Sequence, residues 1–239
     1  LTQQITITKN NIVLNGAGPG TIIDGSAISS ATSAIIKIGD DVANYYNVEI
    51  KNVAFNAPIN VTAIIDAYKT TKVKIKDCSF NTNALTAIKL NSSCSDAKIK
   101  GNFFIGTGAI AINTTADNLS FAENTLSGAT IFLNGVDNGS IIANEVRGAG
   151  SAGIKSSGCG FCIVNSNNCK AITSNAAVYV YAGAEIATEN TITGNNCNAN
   201  IAGIKIDANA GACIVSANSC YGNTTYGIWI KDASCNKNI

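Results

Sequence analysis

Residues 190–207 read NTITGNNCNANIAGIKID, and residues 218–231 read NSCYGNTTYGIWIK. Each runs from an Asn-rich turn into a strand that opens on a small residue and then alternates isoleucine with something else: AGIKID at 202–207, YGIWIK at 226–231. Period 2 marks a strand with one buried face rather than a helix. If Ile228 and Ile230 face inward, the one tryptophan of the chain, Trp229, faces outward. A protein with 6% aromatic residues thus aims its largest ring at the surface.

The same strand recurs upstream as SAIIKIG (33–39), TAIIDA (62–67), TAIKLN (86–91), GAIAIN (108–113), ATIFLN (129–134), AGIKSS (152–157) and AAVYVY (176–181). Aligning Ile36, Ile64, Ile88, Ile110, Ile131, Ile154, Val178, Ile204 and Ile228 gives steps of 28, 24, 22, 21, 23, 24, 26 and 24. Self-similarity at such a period is the mark of a solenoid. Another strand repeats in phase, in NVEIKNVAF, KVKIKDCSF, DAKIKGNFF and ACIVSANSC. Segments this short cannot bury a face alone, so stacking on neighbours must complete the core. The expected fold is all-β: one parallel β-helix domain over 1–239, with an opening coil at 1–32 and repeats over 33–239, about nine or ten coils in all.

Composition narrows the functional classes. Only 13% of residues are charged, and the net charge of +1 supplies no overall field for nucleic acid or an anionic membrane. No apolar run approaches the roughly 18 residues of a membrane span. The opening LTQQITITKN lacks the basic and apolar regions of a signal peptide. Without an initiator Met, and stopping at CNKNI partway through a repeat, the chain reads as a processed product or a piece of a longer one.

The units at 190–207 and 218–239, with the opening KNNIVLNGAGPGTIIDGS (9–26), resemble the parallel β-helix repeats of the pectin-lyase-like superfamily. The resemblance covers nearly the whole chain and implies a right-handed coil, as does the crossover rule for parallel strands. It is specific for fold and uninformative for activity, because lyases, hydrolases, phage tailspikes and non-catalytic surface proteins share that architecture.

In such a stack, equivalent residues lie about 4.8 Å apart, so each column of the repeat is a physical ladder. One turn column reads Asn52, Asp77, Asn102, Asn124, Asn144, Asn168, Asn196, Asn218. Asn tolerates left-handed backbone, and stacked amides bond along the axis. Of nine cysteines, Cys169, Cys197 and Cys220 share a column with Cys78 as the earlier match, and Cys162, Cys213 and Cys235 share another. The run GCGFC (158–162) has no second half at zinc-ribbon spacing, so these cysteines are read as reduced core residues. Such thiols suit a protein assembled in a cytoplasm, as virion parts are.

Outward positions of the recurring strand form two columns. The first reads Lys37, Asp66, Lys89, Ala111, Phe132, Lys155, Tyr179, Lys205, Trp229, and the second Gly39, Tyr68, Asn91, Asn113, Asn134, Ser157, Tyr181, Asp207, Lys231. Flat rings beside amides and charges suit a glycan, whose apolar face lies on rings while its hydroxyls bond polar groups. Equally, an exposed apolar stripe suits a protein partner, whether a second copy or another surface subunit. The expected ligand-binding residues are Phe132, Tyr179, Tyr181, Lys205, Asp207, Trp229 and Lys231.

Asp96, Asp117 and Asp137 precede the first strand of three consecutive coils. Turn capping accounts for them, and calcium binding is the functional alternative; no other cofactor is implied. Gly39, Asp40 and Asp41 are similar to the GDD loop of polygalacturonases, yet the chain has no His, and Arg147 is its only arginine. The expected function is therefore a shaft or adhesin at an extracellular or virion surface, binding a glycan or a partner protein. The alternative is a polysaccharide lyase or glycoside hydrolase using Asp40, Asp41 or the Asp96, Asp117, Asp137 ladder. Ice binding would call for a flat Thr array, which this stripe is not.

Overall fold

A computed structural model describes residues 3–18, 20–28, 34–40, 42–56, 61–82, 86–91, 93–182, 187–207 and 209–231. The described chain is all strand and turn, and every strand pairing is parallel, joining each coil to its neighbours along the axis. Among the described residues the first side of the coil carries ten strands, from Ile5–Ile7 and Ala34–Ile38 to Ala202–Ile206 and Tyr226–Ile230. The second side carries nine short strands among the described residues, from Val13–Asn15 to Ile214–Ser216. The third side is built from strands such as Ser79–Asn81, Glu145–Arg147 and Asn196–Asn198. The coils opening with Ala202–Ile206 and Tyr226–Ile230 have no third-side strand among the described residues. Complete coils are thus fewer than the nine or ten expected.

The core is three inward columns. Ile36, Ile65, Ile88, Ile112, Ile131 and Ile154 stack on the first side, and Ile50, Ile75, Ile99, Phe121 and Ile141 on the second. On the third side Phe55, Phe80 and Phe104 lie ring on ring, with centroids 5.1 and 4.9 Å apart, and Phe104 continues to Phe121 at 5.9 Å. Leu126, Val146, Cys169 and Cys197 extend that column. β-Branched and aromatic residues fill these positions because they fit a pleated surface whose inner face is mainly apolar, with Thr114 and Ser156 as buried polar exceptions.

Pairing corrects the sequence alignment at two coils. Ile65, not Ile64, stacks between Ile36 and Ile88, both Ile64 and Ile65 being fully buried. Ile112, not Ile110, stacks on Ile88, so Ala111 is buried and Asn113 takes its place in the outward column between Lys89 and Phe132. The cause is an irregularity in Phe103–Thr114, which bends continuously from the third side into the first and shifts register between Ile105 and Ala109 and again between Ile110 and Ile112. Gly106 (φ 158°) permits the bend, since a Cβ there would run into the carbonyl oxygen of Thr82. Gly203 answers a similar need: a Cβ there would press on the Cys220 sulfur at 2.9 Å.

The Asn column resolves into adjacent positions. The residue leaving the second side is left-handed in successive coils: Asn52, Asp77, Gly101, Glu123, Ala143 and Ser166 all have positive φ. The next residue forms a ladder, buried at Asn102, Asn124, Asn144, Asn167 and Asn195 and half-buried at Asn218, in which each side-chain oxygen accepts from the amide N–H of the preceding coil. Asn52 and Asp77 therefore belong to the left-handed column. Asn168 and Asn196 lie one residue past the ladder, which continues through Asn167 and Asn195. Cys78 stands at the ladder position rather than with Cys169, its N–H donating to Asn102 Oδ1 at 3.0 Å. The eight described cysteines are free thiols, all buried except the half-buried Cys220; Cys235 lies outside the described residues.

Candidate functional site

The outward face of the first side gathers the expected ligand-binding residues. Phe132, Lys155, Tyr179, Lys205 and Trp229 stand in direct register on five successive strands, and Tyr181 stands in register with Ser157 one step along. Asp207 and Lys231 follow, their amides bonding Val180 and Ile206 in the coil before. Aromatic and cationic side chains alternate from Phe132 to Trp229, and Lys155 and Lys205 each settle on two rings. Lys155 Nζ lies 4.8 Å from the Phe132 centroid and 5.3 Å from that of Tyr181. Lys205 Nζ lies 4.4 Å from Tyr179 and 5.1 Å from Trp229. Such contacts gain strength where water is partly excluded.

Asp207, 8% exposed, anchors the C-terminal half of the stripe. Its Oδ2 accepts the Tyr179 hydroxyl at 3.0 Å and meets Lys205 at 3.1 Å and Lys231 at 3.4 Å. Burial, and then the hydrogen bond to Asp207, push the Tyr179 phenol up to about 12, so it is a neutral donor at ordinary pH. Tyr179 and Tyr181 stack at 4.8 Å. Trp229 packs at 4.8 Å against Tyr226, a neighbour that alternation alone could not place beside it. The two isoleucines flanking Trp229 stand in register with the buried Ile204 and Ile206, yet each is 48% exposed on this last described strand, whereas Trp229 itself is half-buried.

Beside Phe132 the bend of Phe103–Thr114 opens a recess of about 310 Å³. Ala109, Ile110, Thr130, Phe132, Ser151 and Lys155 line it. Its volume falls at the small end of ligand-pocket sizes. Lys155, which the sequence placed in the column without singling it out, joins this recess to the stripe. The alignment slip at Ile110 hid the recess, and the pair Gly106, Gly108 was the available signal.

Of the expected catalytic carboxylates among the described residues, only Asp117 and Asp137 share a column. Asp40 caps its own turn, accepting from the Val42 and Ala43 amides at 2.9 Å and the Tyr45 hydroxyl at 2.7 Å. These bonds, the Ala43 amide foremost, hold its carboxyl below the usual range. Asp41 lies outside the described residues. Asp117 and Asp137 share a column with Gly160, and Asp117 pairs with Ser95, whereas Asp96 stands one residue further on in the left-handed column with Asn118. Asp117 accepts the Asp137 amide at 3.0 Å and Asp96 accepts the Asn118 side chain at 3.1 Å, so both tie coil to coil. Among the described residues no three acidic or thiol groups meet at metal-binding distance. Arg147 sits on the third side, paired with Glu145. The GCGFC run places Cys159 and Cys162 in the core, where the Cys162 thiol donates to the Val136 carbonyl at 3.3 Å.

Comparison with known proteins agrees with this geometry. Residues 127–239 match the family described as "Right handed beta helix region". No curated protein matches the chain by sequence. Among solved structures, a Dettilon tailspike protein aligns with a TM-score of 0.55 at 13% identity, over 97% of this chain and 62% of that one. The alginate lyase of Paenibacillus sp. str. FPU-7 aligns at 0.53 and 14% identity, over 96% of this chain and 100% of that one. The A-module of an Azotobacter vinelandii mannuronan C-5 epimerase aligns at 0.52 and 14%, over 95% and 83%. At such identities the likeness is one of fold. With parallel pairing among all described strands and inward columns on three sides, the chain folds as a right-handed parallel β-helix.

Proposed function

We propose that the protein is a surface shaft or adhesin, extracellular or on a virion, that binds a glycan chain along Phe132, Tyr179, Tyr181, Lys205, Asp207, Trp229 and Lys231. The observation that carries this reading is the Asp207 clamp. One carboxylate fixes the Tyr179 hydroxyl and the Lys205 and Lys231 ammonium groups among aromatic faces that remain partly open to solvent. Rings for the apolar face of a sugar and fixed donors for its hydroxyls or carboxylates thus sit on one rigid sheet. A mannuronan epimerase and an alginate lyase, both named for polysaccharides, are among the solved proteins of this shape, which is in keeping with a polymeric sugar as ligand.

What favours binding over hydrolysis on this face is the separation of its buried acids. The other buried carboxylate on this face, Asp66, is six strand pairings away along the column, about 29 Å at the usual strand spacing. Paired-carboxylate hydrolysis requires about 5 to 9.5 Å. The test is a glycan-array screen followed by calorimetry on the best ligand. Trp229→Ala and Tyr179→Ala are expected to weaken binding about tenfold or more while the intact protein releases no oligosaccharide. Depolymerisation abolished by Asp117→Ala or Asp207→Asn would replace the adhesin with an enzyme.

A further inference from the structure

On the second side of the coil, remote from the aromatic stripe, the outward residues of Glu49–Lys51, Lys74–Lys76 and Lys98–Lys100 form two ladders. Lys51, Lys76 and Lys100 stand in direct register, and so do Lys74 and Lys98. Glu49 neutralises part of the set, reaching Lys51 at 3.4 Å and Lys76 at 3.1 Å, and Glu123 reaches Lys100 at 3.0 Å. Lys74 and Lys98 are exposed and hold no ion pair among the described residues. Five lysines against two glutamates leave this patch more positive than the whole chain, whose net charge is +1.

Folding does not call for this arrangement. Like charges directly opposite on neighbouring strands repel and destabilise the pairing. In the coils that follow, the same two columns read Ser120, Ser140 and Ile163, and Ala122, Ile142 and Asn165, with the pairing unbroken. The lysine ladders are thus a local feature that strand pairing does not require, and Glu49, opposite Lys74, together with Glu123 offsets only part of their mutual repulsion. A row of ammonium groups spaced about 4.8 Å apart along a straight axis suits a linear ligand whose anions recur at intervals of one or two rungs. No outward residue of these three strands is aromatic, so the face lacks the rings on which nucleic-acid bases stack.

We infer that this second-side face is a separate binding site for a linear anionic polysaccharide, carboxylated or sulfated, lying along the helix axis over Lys74, Lys98 and the Lys51, Lys76, Lys100 ladder. It stands independently of the aromatic stripe. Calorimetry with a hyaluronan oligosaccharide and a heparin oligosaccharide, at low and physiological salt, distinguishes the carboxylated from the sulfated source. Binding of at least one is expected, weakening with salt. The Lys74→Gln/Lys98→Gln double variant should lose affinity about five- to tenfold, while Trp229→Ala leaves it unchanged. The same double variant is expected to melt no lower than the parent at low salt, because repulsion is relieved. Failure of both oligosaccharides to bind, binding that survives the lysine variant or disappears with Trp229→Ala, or tighter binding of a single-stranded oligonucleotide of equal charge would each overturn the inference.

Discussion

Asn167→Ala and Asn168→Ala, adjacent substitutions of identical chemistry, should differ sharply in cost. Asn167 is 1% exposed. Its Oδ1 accepts both the backbone and side-chain N–H of Asn144, at 3.0 and 2.9 Å. Its Nδ2 donates to Ile141 O at 2.9 Å and Asn195 Oδ1 at 3.0 Å. Truncation leaves the buried Asn144 amide without an acceptor, which costs about 1–3 kcal/mol, and removes three further bonds worth about 0.5–1.5 kcal/mol each. Since the other groups keep a second partner, the sum expected is about 3–5 kcal/mol, equivalent to a fall in melting temperature of roughly 6–20 °C. Asn168 is half-buried, with no side-chain hydrogen bond among the described residues, and its truncation should cost less than about 1 kcal/mol. Thermal melts give the difference, and hydrogen exchange localises it: in a solenoid the loss should appear first at the Asn144 amide and adjoining coils. Equal destabilisation by the two variants, or a larger effect at Asn168, would refute the ladder's register.

Further outcomes follow from other columns. Phe104→Ala removes the ring shared by Phe80 and Phe121 and should cost about 3–5 kcal/mol in denaturant unfolding; a loss below 1 kcal/mol would mean the stack closes over the gap. The Tyr179 phenol is raised in the folded state to about 12, so its contribution is complete below its unfolded value near 10 and is lost as pH climbs through 12. Denaturation midpoints of the parent should fall more steeply than those of Tyr179→Phe over that window, and parallel curves would contradict the clamp. Calcium should leave the melting temperature unchanged, given the split of Asp96 from Asp117 and Asp137; a rise that Asp117→Asn abolishes would place a cation there.

What the sequence revealed was periodicity, because each coil repeats the same burial problem. The alternation in AGIKID and YGIWIK located the inward isoleucines and outward Lys205 and Trp229, and pairing reproduces that assignment. Phase was legible only where the pattern is unambiguous. In TAIIDA two consecutive isoleucines are both buried, and in GAIAIN the bend at Gly106 displaces the strand, so alternation could not choose between neighbours. The turn column failed for a related reason: GNN at 194–196 offers adjacent Asn residues, and only the hydrogen bonds show that Asn195 is the buried one. The lysine ladders were hidden by averaging, since a near-neutral total says nothing of how charge divides among the sides of a prism.

The lysines of the aromatic stripe carry a thermodynamic consequence. A free lysine side chain loses roughly 1.5–2 kcal/mol of rotamer entropy when a ligand immobilises it. Lys155 lies over Phe132 and Tyr181, and Lys205 over Tyr179 and Trp229 while also meeting Asp207. Their freedom is surrendered when the coils stack, before any ligand arrives. Association at these positions therefore draws on disorder already given up in folding, and even modest contacts can register as affinity.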